Sequence, residues 1–191
     1  MVKLNKIYTR TGDNGTSGLV NGSRVSKASP QMAAIGDVDE ANSALGLAIA
    51  HLDDHPLVPS LLRIQNELFD LGADLATPIT DGPDPEWALR MLPEQTTRLE
   101  REIDAMNEGL DPLASFILPG GSLAVAALHL ARAIVRRAER ATVELARSER
   151  INLPVATYLN RLSDHLFVTA RSVAAGEGGD VLWRPGATRD Q

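Results

Sequence analysis

Arginines in the segment LHLARAIVRRAER, residues 128–140, form the strongest candidate for chemistry in this sequence. On an α-helix with 3.6 residues per turn, Arg132, Arg136, Glu139 and Arg140 fall within about 100° of the circumference. Arg136 and Arg140 repel each other at i, i+4 spacing unless an anion lies between them. Forked guanidinium donors match a polyphosphate, although a solvated face or salt bridges between subunits would show the same spacing. We call Arg132, Arg136 and Arg140 the arginine stripe and treat it as a candidate phosphate site.

A glycine- and hydroxyl-rich stretch, IYTRTGDNGTSG, occupies residues 7–18. It lacks the GxxxxGK[ST] pattern of a P-loop and the GxGxxG pattern of a dinucleotide site. Gly12, Gly15 and Gly18 nevertheless allow backbone N–H groups to converge on an anion, and Lys27 follows nearby. On composition alone, this stretch only suggests an anion-binding loop.

Two weaker candidates lie on predicted helices. Asn160 and Asp164 stand at i, i+4 spacing, where they could bind a ligand or make contacts between helices. The acidic run GDVDEAN, with Asp37, Asp39 and Glu40, lies early in a helix, where the helix dipole favours carboxylates in any case. Asp39 could also form a salt bridge with an arginine of the stripe.

The sequence predicts no dedicated metal site. Cysteine is absent, which excludes thiolate ligands, disulfides and a cysteine nucleophile. His51 and His55 form an i, i+4 pair, but they fall at a helix end beside a proline, where a solvated role is the simpler interpretation. The Glu-x-x-His pattern of a di-iron helical bundle does not occur either.

Five amphipathic helices are predicted to position these residues. Apolar residues recur at three- and four-residue spacing, and Ser29 followed by Pro30 is a plausible cap and first turn. Strand-like alternation of useful length is not found, so the predicted fold is all-α, a five-helix up-and-down bundle in a single domain, residues 1–191. The predicted helices run from about Met32 to Leu52, from Leu57 to Leu75, from near Pro93 onward, from Ser122 to Arg147 and from Pro154 to Ala174.

Two segments outside the helices differ in character. The proline-rich stretch 77–92 predicts an exposed loop that gives no functional information. The glycine-rich tail, residues 176–191, is expected to be flexible and to be ordered only where Trp183 meets a surface.

Composition excludes several other classes of protein. A net charge of −6 and a pI near 5.2 argue against a general nucleic-acid surface. The longest apolar stretch is interrupted by His129 and Arg132, and the first ten residues lack the apolar run of a secretory signal. We therefore expect no nucleic-acid partner, no membrane segment and a cytoplasmic location.

Six motifs follow one another along the chain: YTRTGDNGTSG, SRVSK, GDVDEANSALG, SFILPGGS, LHLARAIVRRAER and YLNRLSDHLFVTAR. In order and spacing they resemble the PduO-type ATP:cob(I)alamin adenosyltransferases, over about residues 7–175. The resemblance implies a five-helix bundle assembled as a homotrimer, with ATP and the corrinoid bound between adjacent subunits. Asp37 is a small departure, because the family often carries a small residue there.

The resemblance also implies a nucleotide site. One subunit would supply an ATP-binding loop, residues 7–28, and its neighbour would supply side chains of the fourth and fifth helices. The expected ATP contacts are Thr9, Arg10, Thr11, Gly12, Ser17, Gly18 and Lys27 from the loop, and Arg136, Arg137, Glu139, Arg140 and Asn160 from the neighbour. Mg²⁺ is expected to be carried by ATP rather than by a protein cage.

The implied reaction transfers the 5′-deoxyadenosyl group of MgATP to the cobalt of cob(I)alamin and releases triphosphate. Because cob(I)alamin is itself the nucleophile, the protein aligns the reactants and stabilises charge on the departing triphosphate, a role we assign to Arg136. Arg132 with Asp39 matches the family's salt bridge between subunits on the corrinoid side. These residues and Phe116 are the expected catalytic set, and Arg132, Asp39 and Phe116 are the expected cobalamin contacts.

Phe116 matches the aromatic residue that, in this family, occupies the lower face of the corrin and keeps the dimethylbenzimidazole ligand off cobalt. A four-coordinate Co(II) is easier to reduce, because the axial electron pair that destabilises the added electron is gone. Taken alone, a phenylalanine in SFILPGG is more simply interpreted as core packing.

Two other functions remain open on the sequence. The first is a carrier or chaperone that binds ATP and adenosylcobalamin and delivers the cofactor to a B12-dependent enzyme. The second is a helical binding module without activity, although the arginine stripe, Asn160, Lys27 and Phe116 weigh against it. A Co(II) reductase and a B12-dependent enzyme are the further partners that the resemblance suggests.

Overall fold

The computed structural model describes residues 7–189. It contains five helices and one two-stranded sheet, and every predicted helix is present within one turn of its predicted ends. The elements are β1 (Thr16–Gly18), β2 (Arg24–Ser26), α1 (Pro30–Ile49), α2 (Val58–Leu75), α3 (Pro93–Asn107), α4 (Leu123–Leu145) and α5 (Leu153–Ala175).

Serine caps begin two of the long helices. The Oγ of Ser29 accepts a hydrogen bond from the backbone N–H of Met32 at 3.3 Å, with Pro30 in the first turn as the sequence predicts. The Oγ of Ser122 accepts from the N–H of Val125 at 3.3 Å and begins α4 in the same way. The start of the helix that carries the arginine stripe is therefore fixed locally.

The core lies between the apolar faces of the helices. Four different helices each contribute a leucine that is at most 1% exposed: Leu45, Leu68, Leu128 and Leu159. They recur with the three- and four-residue spacing that predicts the helices, so burial of these faces is what stabilises the bundle.

A short hairpin departs from the all-α prediction. Strands β1 and β2 pair antiparallel with Ser17 opposite Val25, and the N–H of Leu19 donates to the carbonyl of Ser23 at 2.8 Å. Three-residue strands are too short to show an alternating pattern, which is why sequence analysis misses them. The hairpin gives the glycine-rich stretch a defined backbone.

Helix directions alternate along the chain, but the packing does not simply follow sequence order, because α1 packs on α4 as well as on α2. Helix α5 packs between α3 and α4, which share no substantial contact within residues 7–189. Contacts between α3 and α5 pair Glu102 with His165 and Met106 with Thr169, so these two helices are parallel. The link between α3 and α4, residues 108–122, therefore crosses the C-terminal end of α5.

No helix in the described part of the chain is long and apolar enough to cross a membrane. Nor do residues 7–189 bring three or more histidine or carboxylate side chains together in a group that could hold a metal ion.

Candidate functional site

The arginine stripe runs along α4, and none of its three side chains has a carboxylate partner within residues 7–189. Arg132 is half-buried, while Arg136 and Arg140 are exposed. Arg140 donates from Nη1 to the backbone carbonyl of Arg136 at 2.8 Å, which holds the Arg140 side chain against the preceding turn of α4. Among the residues that the structure describes, no salt bridge involves any of the three, and the stripe is a set of cations without anions.

Of the three arginines in the stripe, Arg132 has the least favourable surroundings for its positive charge. Partial burial and then the positive charge of Arg136 lower the pKa of Arg132 from its ordinary value. Its Nε is enclosed and has no hydrogen-bond partner within the described chain. An anion placed against Arg132 would relieve both the repulsion and the unsatisfied donor.

Arg137, the next residue along α4, faces a different way. It donates from Nε to Oδ1 of Asp37 at 3.3 Å and forms a salt bridge with Glu40, both on α1 of the same chain. The hydrogen bond with Glu40 is the main reason that the pKa of Arg137 is raised. Asp37 is thus part of a contact that holds α1 against α4.

Asn160 and Glu139 bring α5 and α4 together at an open cleft of about 470 Å³. The Nδ2 of Asn160 donates to Oε1 of Glu139 at 2.9 Å. Thr96 and Thr97 of α3 line the opposite wall. The cleft lies beside the stripe because Glu139 and Arg140 are adjacent on α4.

The glycine-rich stretch is held in shape by Arg24, which sequence reasoning misses. Its Nη2 donates to the carbonyl of Thr11 at 2.7 Å, and its Nε donates to Oγ1 of Thr16 at 2.9 Å. An arginine between serine and valine in NGSRVSK, with no acidic neighbour, is the only signal that the sequence offers for this role. Arg24 thereby ties the turn at residues 10–15 to the hairpin.

Close backbone approach explains the glycine at position 12. A Cβ at Gly12 would lie 3.1 Å from Nζ of Lys27 and 3.2 Å from the carbonyl oxygen of Thr16. Nearby, Arg10 adopts a left-handed backbone with φ of 61°, which is uncommon for a residue other than glycine. Local strain of this kind often marks a functional loop.

The hairpin of the expected ATP loop is positioned against the C-terminal end of α2. There the N–H of Val20 donates to the carbonyl of Ala76 at 3.2 Å. No hydrogen bond or ion pair found in the described chain joins residues 9–28 to Arg132, Arg136 or Arg140. Within one subunit, the polar contacts found for residues 9–28 are therefore made with groups other than the arginine stripe.

Phe116 is a surface residue. Its side chain is 78% exposed, which rules out core packing within the protomer. It lines an open apolar cavity of about 590 Å³ together with Leu113, Ile117 and Phe167 of α5. The ring of Trp183 lies 6.2 Å from that of Phe116, centroid to centroid, so the tail does meet a surface at Trp183.

Asp39 is exposed on α1 and makes no salt bridge among residues 7–189. Its expected partner Arg132 also lacks one. Within residues 7–189, therefore, neither side chain uses its charge in a salt bridge.

His129 is a further residue that sequence reasoning does not assign. It is 2% exposed, its ring lies 6.2 Å from that of Phe167, and neither ring nitrogen has a hydrogen-bond partner in the described chain. Burial first, and then the charge of Arg132, lower its pKa, so the imidazole is neutral at pH 7. Neither a motif nor a characteristic spacing in the sequence marks His129 as a functional residue.

Sequence comparisons match this chain to known proteins over nearly its whole length. A family model described as cobalamin adenosyltransferase matches residues 7–173. The corrinoid adenosyltransferase of Mycobacterium tuberculosis strain H37Rv is 51% identical over 193 residues, covering 98% of this chain and 97% of the relative. The corrinoid adenosyltransferase of Bacillus subtilis strain 168 is 46% identical over 187 residues, covering 95% and 94%.

Solved structures show the same relationship. A phenylalanine-to-alanine variant of the PduO-type ATP:corrinoid adenosyltransferase from Lactobacillus reuteri, complexed with cobalamin and ATP, superposes with a TM-score of 0.87. It is 40% identical, and the match covers 94% of this chain and 99% of that one. An arginine-to-lysine variant from the same organism, complexed with ATP, gives a TM-score of 0.86 at 41% identity, covering 94% and 100%.

Proposed function

The chain belongs to the cobalamin adenosyltransferase family, and we propose that it transfers the 5′-deoxyadenosyl group of ATP to the cobalt of cob(I)alamin. The electron pair of Co(I) attacks C5′ and forms the cobalt–carbon bond while the bond from C5′ to oxygen breaks. Triphosphate leaves with the electrons of that bond, and the product is adenosylcobalamin, formally Co(III).

The unpaired arginine stripe is the observation that carries the assignment of residues. Three cations stand along one face of α4 with no carboxylate partner among residues 7–189, an arrangement that is unfavourable until an anion binds. Triphosphate is the leaving group of the reaction, and charge grows on it in the transition state. Arg136, exposed at the centre of the stripe, is the donor that stabilises this charge.

ATP binds, in this proposal, between the stripe of one subunit and the glycine-rich loop of its neighbour. Support comes from the lack of hydrogen bonds and ion pairs between the two halves within the described part of one protomer. Exposed Asp39 and half-buried Arg132 also form no salt bridge within residues 7–189. A homotrimer with its sites between subunits would bring the halves together. Exposed leucines on α4, Leu123 at 72% and Leu130 at 52%, supply apolar surface for such an assembly.

The loop contacts in the proposed ATP site are those expected from the sequence. Thr9 and Thr11 already stand close, with their Oγ1 atoms 2.8 Å apart, and the Lys27 ammonium lies against Gly12. Mg²⁺ is proposed to be carried by the ATP phosphates, because it usually keeps several waters and binds through substrate phosphates. Glu139 and Asn160 would then contact the nucleoside end of ATP from the cleft on α4 and α5.

Phe116 is proposed to face the corrinoid. Its exposed ring, with Phe167 beside it in one apolar cavity, offers a surface that could take the place of an axial ligand below the corrin. A site without that ligand favours four-coordinate Co(II) and hence reduction to Co(I). The proposal includes a cytoplasmic location, a Co(II) reductase as electron donor and a B12-dependent enzyme as acceptor of the product.

One anaerobic experiment tests the function. The protein is mixed with ATP and chemically reduced cobalamin, and the absorption spectrum and triphosphate are followed together. A light-sensitive alkylcobalamin spectrum with an equal amount of triphosphate supports the transferase, and ADP in place of ATP serves as the control for the leaving group. Tight binding of ATP and adenosylcobalamin without either product would favour the carrier. Light scattering on the same sample measures whether the assembly is a trimer.

A further inference from the structure

The C-terminal tail pairs with the segment that carries Phe116. The N–H of Leu118 donates to the carbonyl of Val181 at 2.8 Å, and the N–H of Trp183 donates to the carbonyl of Phe116 at 2.7 Å. Ser115 adds a third hydrogen bond, from its Oγ to the carbonyl of Trp183 at 2.7 Å. Both segments lie outside the helices, so this short ladder is their main source of backbone order.

A single arginine on α5 holds both sides of the ladder. Arg171, only 9% exposed, donates from Nε to Oδ2 of Asp180 at 3.0 Å and from Nη2 to the carbonyl of Asp111 at 2.7 Å. Asp180 precedes the paired part of the tail, and Asp111 precedes the paired part of the 108–122 link. The two contacts therefore anchor the two strands of the ladder to the same turn of the same helix.

The Arg171 contacts are shielded and geometrically specific. The side chains of Arg171 and Asp180 are 10% and 14% exposed, so water screens their hydrogen bond less than it screens the surface pairs of this protein. Gly178 and Gly179, with φ of 106° and 95°, allow the chain to turn back from α5 toward the ladder. The turn is closed by a hydrogen bond from the N–H of Gly179 to the carbonyl of Ala174 at 2.8 Å.

Phe116 depends on this arrangement because its own ring is almost unsupported. At 78% exposure, the ring has few contacts of its own, and Trp183 on the opposite strand of the ladder is its aromatic neighbour. An exposed aromatic side chain on a free loop would sample many positions, and ordering it on substrate binding would cost conformational entropy.

We propose that Arg171 and Asp180 are positioning residues for Co(II) activation, because they lock the tail against the 115–118 segment and so fix where Phe116 stands. This inference rests on the proposed function and deepens it. Neither residue touches substrate, and their effect is transmitted through the backbone ladder to the ring that faces the corrinoid. Breaking the ion pair lets the ring move, and an axial ligand can then return to Co(II).

The test compares two assays of the same variants. Asp180→Asn keeps the side-chain shape and removes the charge, Asp180→Glu keeps the charge, and Glu177→Gln changes an exposed tail carboxylate as the matched control. Turnover is measured from cob(I)alamin and, separately, from cob(II)alamin with a reductant. Electron paramagnetic resonance of Co(II) with ATP and the protein shows directly whether the axial nitrogen is bound.

For Asp180→Asn we expect the Co(II)-dependent rate to fall about tenfold, while the rate from cob(I)alamin stays within about threefold of wild type. The four-coordinate Co(II) signal should fall in proportion, Asp180→Glu should recover part of it, and Glu177→Gln should match wild type. Arg171→Gln should reproduce Asp180→Asn, and circular dichroism checks that it remains folded.

Equal losses in the two assays, or an unchanged four-coordinate signal in a folded Asp180→Asn protein, would overturn the positioning role. Wild-type protein that forms no adenosylcobalamin from cob(I)alamin would instead overturn the proposed function. If the wild-type protein is active but every variant keeps the wild-type ratio of the Co(II)-dependent rate to the cob(I)alamin rate, only this inference is overturned.

Discussion

Arg137 donates a hydrogen bond from Nε to Oδ1 of Asp37 across 3.3 Å, and this contact turns it toward α1 of its own chain. Arg136, one residue earlier on α4, is exposed and has no such partner in the described part of the chain. Adjacent helical residues point about 100° apart, so Arg136 and Arg137 face different surroundings. Arg137 holds two helices together in the protomer, and Arg136 remains free to meet an anion. The assignment of Arg137 as an ATP contact therefore remains a prediction, whereas its contact with α1 is observed.

Replacing Arg136 by alanine should nearly abolish adenosyl transfer. Removal of a single donor that stabilises transition-state charge commonly costs about 10²–10³ in kcat. Steady-state rates from cob(I)alamin, with ATP varied, measure the loss. The matched control is Arg147→Ala, which removes an exposed arginine just beyond the C-terminal end of α4, paired with Glu144. Near-normal turnover by Arg136→Ala would remove it from the mechanism.

Replacing Phe116 by alanine should slow the reaction that starts from Co(II) more than the reaction that starts from Co(I). The exposed ring contributes little to the protomer core, so we expect Tm to change by no more than a few degrees. The Co(II)-dependent rate should fall much more than the rate started from cob(I)alamin, because only Co(II) needs its axial ligand displaced. Equal losses would contradict the account of the lower face. Phe69→Ala, which removes a ring that is 71% exposed on α2, is the control.

Replacing Gly12 by alanine should weaken ATP binding while leaving the bundle folded. The new Cβ would meet Nζ of Lys27 at 3.1 Å and the carbonyl oxygen of Thr16 at 3.2 Å, and so displace the ammonium from its place in the loop. KM for ATP should rise by about tenfold, which corresponds to roughly 1.4 kcal/mol. Gly36→Ala, at a helical position with open space around it, is the control, and we expect it to stabilise α1 slightly. An unchanged KM for ATP in Gly12→Ala would show that ATP binding does not depend on the close contact of Gly12 with Lys27 and Thr16.

Glu102 should make the free energy of unfolding depend on pH. Burial alone would raise its pKa, but hydrogen bonds from His165 and Arg63 outweigh burial and lower the pKa to about 2. A carboxylate whose pKa is lowered on folding stabilises the protein above its unfolded pKa, near 4.5, and loses that contribution as pH falls toward 2. After allowance for partial exposure, the contribution is about 1–2 kcal/mol at pH 7.

Urea unfolding of wild type and Glu102→Gln at pH 7, 4 and 3 measures this dependence. The variant should be less stable at pH 7, and the difference should narrow steadily as the pH falls. A difference that is constant across the three pH values would show that the loss comes from packing rather than from charge.

The parts of this protein that sequence predicts are those with local patterns. The helices follow from apolar spacing, and the arginine stripe follows from the positions of Arg132, Arg136 and Arg140 on one turn after another. The motif order indicates the family, which the comparisons confirm. These features need only residues within a few positions of one another or a known order of motifs.

The features that sequence misses depend on contacts between distant residues. Ser115 and Trp183 are 68 positions apart, and no local pattern indicates that their segments pair. The role of Arg24 depends on a hairpin whose strands are three residues long. The interpretation of Phe116 as core or surface depends on which helix lies under the 108–122 link, and that order is a property of the whole bundle.

The placement of α5 between α3 and α4 also bears on how the chain is made. A ribosome produces the central helix last, after both of its flanking neighbours have emerged. Until then the faces of α3 and α4 that α5 covers remain exposed in the nascent chain, although α4 can already pack on α1. Stalled or prematurely terminated translation products should consequently be substrates for chaperones and proteases rather than partly working enzymes.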